Sequence, residues 1–456
     1  MKFFPQPRPR HLAVRLLLLS SLGLSLAACS LDLVNPNAAT DVQALTTREG
    51  VLALSVGLRQ LYSTSALEPL IITTGTTARE LKGVTTFFNV IELEQGGAQL
   101  SPNNANTTAL FARNYRVANV ADQLIAAAPT VLAADAGTRS AVLAHAYLFK
   151  AAALGAIATG FEQGPLAANP SGNGTTPFVT RAQLLAEVVR LLDLATQELV
   201  TNPPSTDFNS QVQGTGFNLP NTVQAYRARF NLMAGNYAAA LAAANLVNLT
   251  VRSAFTYSAQ NPNPVFTFTT QVGNFKPRDQ FGLPAGLVEA GDGRLSFYLA
   301  GPVVVDRNNG GPDNLRTLAG FFTSQTSDIP AYLPDEIRLI RAEANLRAAT
   351  PNLTTALSDI NAVRTQTTGD PFGVYANLPA YAGAVATADL LTEVYKQRSA
   401  ELFLSGMHLE DSRRFGRPAP TTTQLPSATE RSRNFYPYPQ QERLNNPSTP
   451  PTDPVI

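Results

Sequence analysis

VYKQRSAELFLSGMHLEDSRRFG, residues 394–416, sets three acids, four basic residues and one histidine among apolar residues at helical spacing. Charge this dense beside a core-facing seam serves either chemistry or the docking of helices. The spacing favours docking. Arg398 and Glu401 lie three residues apart, on one helix face. Gly406 suits the left-handed residue that closes a helix. Asp411 and Arg414 are again three apart. The expectation is a last long helix over residues 388–405, with Arg398, Glu401, Asp411 and Arg414 as a partly buried ion-pair network that fixes how it and its successor pack.

The helical period recurs along most of the chain. Val51, Leu54, Leu58 and Leu61 share one face. Further helices are expected over 109–128, ended by Pro129, over the Ala-rich 138–159, and over 181–200. Residues 222–248 read as two short helices hinged at Gly235-Asn236. Pro334-Asp335 opens another helix, partnered by 354–365. The Ala-rich run 141–158 is apolar enough for a membrane span, but His145 and Lys150 interrupt it and favour a buried core helix. Segments 73–107, 160–180 and 250–333 lose the period, with Phe266 and Phe268 alternating as in a short strand. Long irregular segments of this kind often carry function. No alternation persists as a sheet would require. Gly235-x-Tyr237-x-x-Ala240-Leu241 resembles half of a tetratricopeptide repeat, in which small residues let paired helices cross closely. The fold class expected is mainly all-α: a tetratricopeptide-like superhelix of helix pairs with an irregular, loop-rich half.

Of 456 residues, 44% are apolar, enough for a large core, and the formal net charge is +1. No global field recruits nucleic acid or an anionic membrane. The single cysteine, Cys29, excludes an internal disulfide framework and a cysteine-based metal site. It ends a basic leader (Lys2, Arg8, Arg10, Arg15), a short apolar core over 16–26, and the small residues Ala27-Ala28, the layout of an export signal. Leu26-Ala27-Ala28-Cys29 resembles the lipobox of bacterial lipoproteins, in which the cysteine is acylated and becomes the N-terminus. The alternatives are a signal peptide cut near Ala28 without lipid, and a transmembrane helix. The apolar run is shorter than the roughly 20 residues a span needs. The organisation expected is a signal peptide over 1–28, a lipidated tether over 29–48, a helical region over 49–250, a loop-rich region over 251–333 and a C-terminal region over 334–456.

Motifs for chemistry are missing from the sequence. His145 and His408 have no histidine four residues away, so no helical metal pair exists. There is no Gly-x-Ser-x-Gly elbow and no Walker loop. GNGTT (172–176) and EAGDGR (289–294) read as turns. The doublets Glu92/Glu94, Asp335/Glu336 and Glu410/Asp411 are common by chance in a chain with 33 acids, and a solvated surface is the expectation for them. No enzyme activity, metal or cofactor is expected.

The opening stretch also resembles the C-terminal signature of the SusD/RagB family, roughly Arg-x-x-Glu-Leu-x-x-Glu-Gly-x-Arg-x-x-Asp-Leu-x-Arg-x-Gly. Arg398, Glu401, Leu402, Gly406, Asp411, Arg414 and Gly416 match, while Ser405, His408 and Ser412 depart. Other segments agree in the same order: RAQLLAEVVRLLDLATQEL (181–199), GDGRLSFYL (291–299), IRLIRAEANLR (337–347), LSDINAVRTQT (357–367) and FYPYPQQERLNNP (435–447). With the lipobox, the resemblance spans nearly the whole chain after Ala28.

This resemblance implies a lipid-anchored protein of the bacterial outer membrane, facing the cell surface. Such proteins bind a nutrient, commonly a glycan and in some members a peptide, and cap a SusC-like TonB-dependent transporter. From a different class, a tetratricopeptide-like scaffold lipoprotein of the envelope remains as the competing reading. Sugar sites combine aromatic faces with amides and arginines. There is no Trp, so Phe and Tyr must serve. Arg79, Phe87, Phe88, Asn103 and Asn104 are the expected ligand contacts, against the alternative that both Phe rings pack their loop onto the helices. Phe111 is expected in the core.

Overall fold

Side chains that can accept from free backbone N–H groups set where the helices begin. The computed structural model describes residues 1, 45–168, 175–308, 312–418, 420 and 430–456. Thr47 caps α1 (Arg48–Leu61), accepting from Gly50 N at 3.1 Å. After a wide turn, α2 (Leu67–Thr77) continues, wholly buried. Short α3 (Phe88–Gln95) precedes α4 (Ala105–Val131), which Asn104 caps. Asp135 caps α5 (Ala136–Gly160), and Thr180 with Gln183 forms a capping box on α6 (Arg181–Thr201). Asn218 caps α7 (Leu219–Met233), which turns at Gly235 (φ 78°) into α8 (Tyr237–Ala244). The later helices are α9 (Gly293–Tyr298), α10 (Pro334–Leu346), α11 (Leu353–Arg364), α12 (Thr387–Glu401), α13 (His408–Arg414) and α14 (Gln440–Asn445).

Neighbouring helices stack in sequence: α4 on α5, α5 on α6, α6 on α7, α7 on α8, α8 on α10, and α10 on α11 with α12 across both. This is the expected superhelix of helix pairs. Small residues make the crossings close. A Cβ on Gly155 of α5 would overlap the ring of Phe230 on α7. Among the described residues, α5 is the one helix long and apolar enough to cross a membrane, and 94% of its most apolar window is buried in protein. It is the central core helix.

Among the described residues there are four two-stranded antiparallel pairs. β1 (Leu81–Gly83) pairs with β5 (Phe275–Pro277), β2 (Gln163–Pro165) with β3 (Phe178–Thr180), and β4 (Ala254–Phe255) with β8 (Ile329–Pro330). The hairpin β6 (Leu299–Asp306) and β7 (Asp313–Leu318) carries a register shift between Ala300 and Val304. Residues 45–456 form one compact unit.

Several boundaries differ from the sequence expectation. Segment 73–107 is not irregular throughout: the end of α2, β1, and α3 occupy much of it. Pro129 lies inside the last turn of α4, which closes only at Leu132, whose N–H donates to Ala128 O at 3.0 Å. Phe266 and Phe268 belong to helical turns, because Asn263 accepts from Val265 N and Phe266 N. The last long helix stops at Glu401, not near residue 405. The chain reverses through Leu404 (φ 54°) and Gly406 (φ 83°), with Leu404 N held by Glu80 Oε1 at 2.9 Å. Cys29, the signal peptide and most of the tether lie outside the described residues.

Candidate functional site

Every segment of the family-like pattern from residue 291 to 414 contributes to buried ion pairs, which fall into three groups. Arg398 on α12 donates to both oxygens of Asp411 on α13, at 2.8 and 3.1 Å. Asp411 also meets Arg414 at 2.8 Å. Arg414 reaches back to Glu343 on α10 with bonds of 2.8 and 2.9 Å, and Arg347 shares that carboxylate at 2.8 Å. Burial pushes the Asp411 carboxyl up, but Arg398 and Arg414 outweigh it and hold it below the usual range. The pairing corrects one expectation: Arg398 turns to Asp411, and Glu401 turns to Arg294, 3.3 Å away on α9. Asp292 caps α9 and holds the Arg294 side chain at 2.7 and 2.9 Å. Arg364 on α11 closes a further group with Glu393 and Glu289.

Sequence reasoning read EAGDGR as a turn and missed that Glu289, Asp292 and Arg294 belong to this set. The Asp-x-Arg spacing was the available signal. The three acid doublets are likewise not solvated. Glu92, Glu94, Asp335, Glu336, Glu410 and Asp411 are all buried. Each doublet sits against positive or amide groups supplied from elsewhere. Glu336 takes two bonds from Arg229, at 2.6 and 2.7 Å, and Glu410 pairs with Arg413 and Arg181 at 2.7 and 2.6 Å. Glu401 differs: burial, and then the neighbouring Asp335, push its carboxyl well above the usual range.

The expected ligand residues separate into two groups. Arg79 and Asn104 are buried and committed. Arg79, at a strained φ of 69°, pairs with Glu94 at 3.1 Å. Glu94 also meets Arg278, which pairs with Asp313 at 3.0 Å, and Asp313 meets Lys82 at 2.6 Å. Burial and Arg278 pull the Arg79 guanidinium down to about 10. Asn104 donates to Asn89 O at 2.8 Å and to Glu92 at 3.0 Å while capping α4. These two residues hold the loop rather than face solvent.

Phe87 and Phe88, by contrast, are 57% and 75% exposed, and Asn103 is exposed. They do not pack the loop onto the helices. Asn89 O also accepts from Asn106 at 3.1 Å, so the segments carrying Phe88 and Asn103 are joined side by side. Exposed Phe rings suit stacking on the apolar face of a sugar. Phe111 is core, packed among Tyr115, Phe161 and Phe178.

Neither described histidine is placed for catalysis. His145 lies among Phe149 and Phe208 with no polar partner, and burial pushes it well below its ordinary value. His408 is buried beside Tyr395 OH at 3.1 Å and Glu80 at 3.7 Å. Among the described residues, no group of three or more His, Cys, Asp or Glu side chains is arranged to hold a metal ion.

No protein-family model and no curated protein sequence matches the chain. Solved structures do match its fold. A SusD superfamily protein from Bacteroides fragilis is similar with a TM-score of 0.66 at 13% identity, covering 88% of this chain and 99% of that one. A SusD-like carbohydrate binding protein from Bacteroides vulgatus gives 0.66 at 14% identity, over 90% and 99%. A SusD/RagB family protein from Bacteroides thetaiotaomicron gives 0.63 at 15% identity, over 87% and 94%. The chain has the SusD fold.

Proposed function

We propose that this chain is a SusD/RagB-family nutrient-binding lipoprotein, anchored in the outer membrane through a lipid on Cys29. It captures a glycan at the cell surface and delivers it to a SusC-like TonB-dependent transporter. The observation that carries this reading is the SusD fold over about nine-tenths of the chain, shared with a protein described as carbohydrate binding. The family-like segments over 291–414 support it, because each supplies a member of the buried ion pairs.

The glycan rests on Phe87 and Phe88, with Asn103 bonding to its hydroxyls. Arg79 and Asn104 keep that loop in place from below. Two stacked rings and a few hydrogen bonds fit a Kd of roughly micromolar to millimolar, about −8 to −4 kcal/mol. Calorimetry against a glycan panel tests this. Binding that falls at least about tenfold in Phe87→Ala/Phe88→Ala, with no cleavage of the recovered sugar, is expected. Unchanged binding in that variant refutes the site, and cleaved sugar refutes the function. Cys29→Ala is expected to move the protein out of the outer-membrane fraction. Co-purification of envelope proteins other than a TonB-dependent barrel would favour the scaffold reading.

A further inference from the structure

A cleft of about 390 Å³ is formed by the start of α12 with the ends of α10 and α13. Its size falls within the roughly 300–1,000 Å³ of small-molecule sites. Ala388, Leu391 and Thr392 of α12 line it, and three arginines complete it: Arg347, Arg414 and Arg417. Two rings hold the guanidinium planes. Arg347 and Arg414 lie over Phe415, 5.0 and 5.2 Å from its centroid, and Arg417 lies 5.1 Å over Tyr395. Contacts of this kind fix a cation and occupy the ring face it covers.

The ion pairs use only part of each arginine, which has five N–H donors. Arg347 reaches Glu343 through Nε and the carbonyl of Arg414 through Nη2. Arg414 spends Nε and Nη2 on Glu343, while its buried Nη1 has no hydrogen-bond partner, with Glu410 Oε1 4.0 Å away. Arg417 meets Glu430 through Nε and Nη2. Among the described residues, none of the three Nη1 groups makes a hydrogen bond.

Charge is also out of balance here. Six guanidiniums, on Arg181, Arg347, Arg398, Arg413, Arg414 and Arg417, share four carboxylates, on Glu343, Glu410, Asp411 and Glu430. The local excess is two positive charges, in a chain whose whole formal charge is +1. The start of α12 adds to it, because Ala386 offers no side-chain acceptor to the first N–H groups of that helix. Asp389, in the same turn, does not line the cleft.

We propose that this cleft binds a phosphate group. A phosphate monoester carries a charge of about −1.5 to −2 and three acceptor oxygens, which matches both the excess and the three spare Nη1 groups. A carboxylate brings one charge and two oxygens and leaves half the excess in place. A neutral sugar leaves all of it and finds ring faces already covered. Neither Phe87 nor Phe88 lines the cleft, so the site does not depend on the glycan platform.

Calorimetry with the purified full chain, at about 0.15 M salt to screen surface charge, decides it. The probes are inorganic phosphate, glycerol 3-phosphate, acetate, and phosphatidylcholine vesicles with and without phosphatidic acid. Phosphate is expected to bind one to one and at least about tenfold more tightly than acetate. Ala388→Glu sets a carboxylate in the cleft at an exposed position and removes no ion-pair partner; it should weaken phosphate by about tenfold or more. Arg347→Gln and Arg417→Gln should each weaken it as well, and in the first Glu343 keeps both bonds from Arg414. Melting curves check the fold, and Ala388→Glu still decides should an arginine variant unfold. Phe87→Ala/Phe88→Ala should leave phosphate affinity unchanged, so this site and the glycan platform fail separately. Binding of either soluble phosphate assigns a free ligand, and binding of phosphatidic acid vesicles alone assigns a lipid headgroup. No binding of any phosphate probe, acetate binding as tightly as phosphate, or phosphate affinity unchanged in Ala388→Glu would each overturn the proposal.

Discussion

Asp411 is where the docking of the last two helices is concentrated, and removing its carboxylate has a calculable cost. Arg398 places two bonds on Asp411, at 2.8 and 3.1 Å, and meets no other carboxylate among the described residues. Its guanidinium is 2% exposed, so Asp411→Ala strands a buried positive charge. Arg414 loses a contact of 2.8 Å but keeps both bonds to Glu343. Breaking a buried pair in this way costs about 3–5 kcal/mol, because the surviving charge has lost its water and its partner. An unfolding entropy of about 2.1 cal/mol/K per residue, over a unit of roughly 400 residues, converts that to a fall in Tm of about 4–6 °C. Thermal melts at pH 7 measure it. A double-mutant cycle isolates the pair. Arg398→Met alone leaves Asp411 with Arg414 and should cost less, and Arg398→Met/Asp411→Ala should cost clearly less than the sum of the single changes. Additive single and double effects, or an Asp411→Ala protein melting within about 1 °C of the parent, would refute the reasoning.

Glu401→Gln should cost under about 1.5 kcal/mol, since burial already favours the uncharged acid there and Arg294 keeps Asp292. The folded pKa of Glu401 is raised, so the folded protein keeps a proton that the unfolded chain releases above about pH 4.5. Its stabilising contribution is therefore full below that pH and is lost as pH rises; melts across pH 5–8 should show a shallower fall in Glu401→Gln than in the parent. Gly282→Ala should unfold the protein or lower its Tm by several degrees, because Gly282 sits at φ 70° and the new Cβ would overlap the carbonyl of Arg79. Near-parental melting of Gly282→Ala would show that the 79–80 turn yields more readily than its packing implies.

The helices were legible because their determinants are local. Thr47, Asp135, Thr180 and Asn218 cap within three residues of themselves, and the apolar period of α1 or α6 needs no knowledge of a partner. The left-handed conformation of Gly406 was legible for the same reason, being a property of one position, but the helix it was expected to close stops at Glu401. Family-like segments were legible as a pattern of residue types, and their common order pointed to the fold that the chain adopts.

Charge partners were not legible, because a charged side chain is paired by whatever tertiary packing brings within about 4 Å of it. Arg398 and Glu401 share a helix and still turn to different partners, one 13 and the other 107 residues away. The same holds for Arg79 and Asn104. Their types suit a ligand, but Glu94 and Glu92 claim them once α3 folds against the start of α4. Phe87 and Phe88 carry no local mark of exposure; only the absence of a neighbour above the loop leaves them open. Sequence by itself determined where most of the long helices lie, because the apolar period and the capping residues are local. Tertiary structure decided which charges are spent inside the fold and which are left exposed, because desolvation and pairing depend on distance in space rather than along the chain.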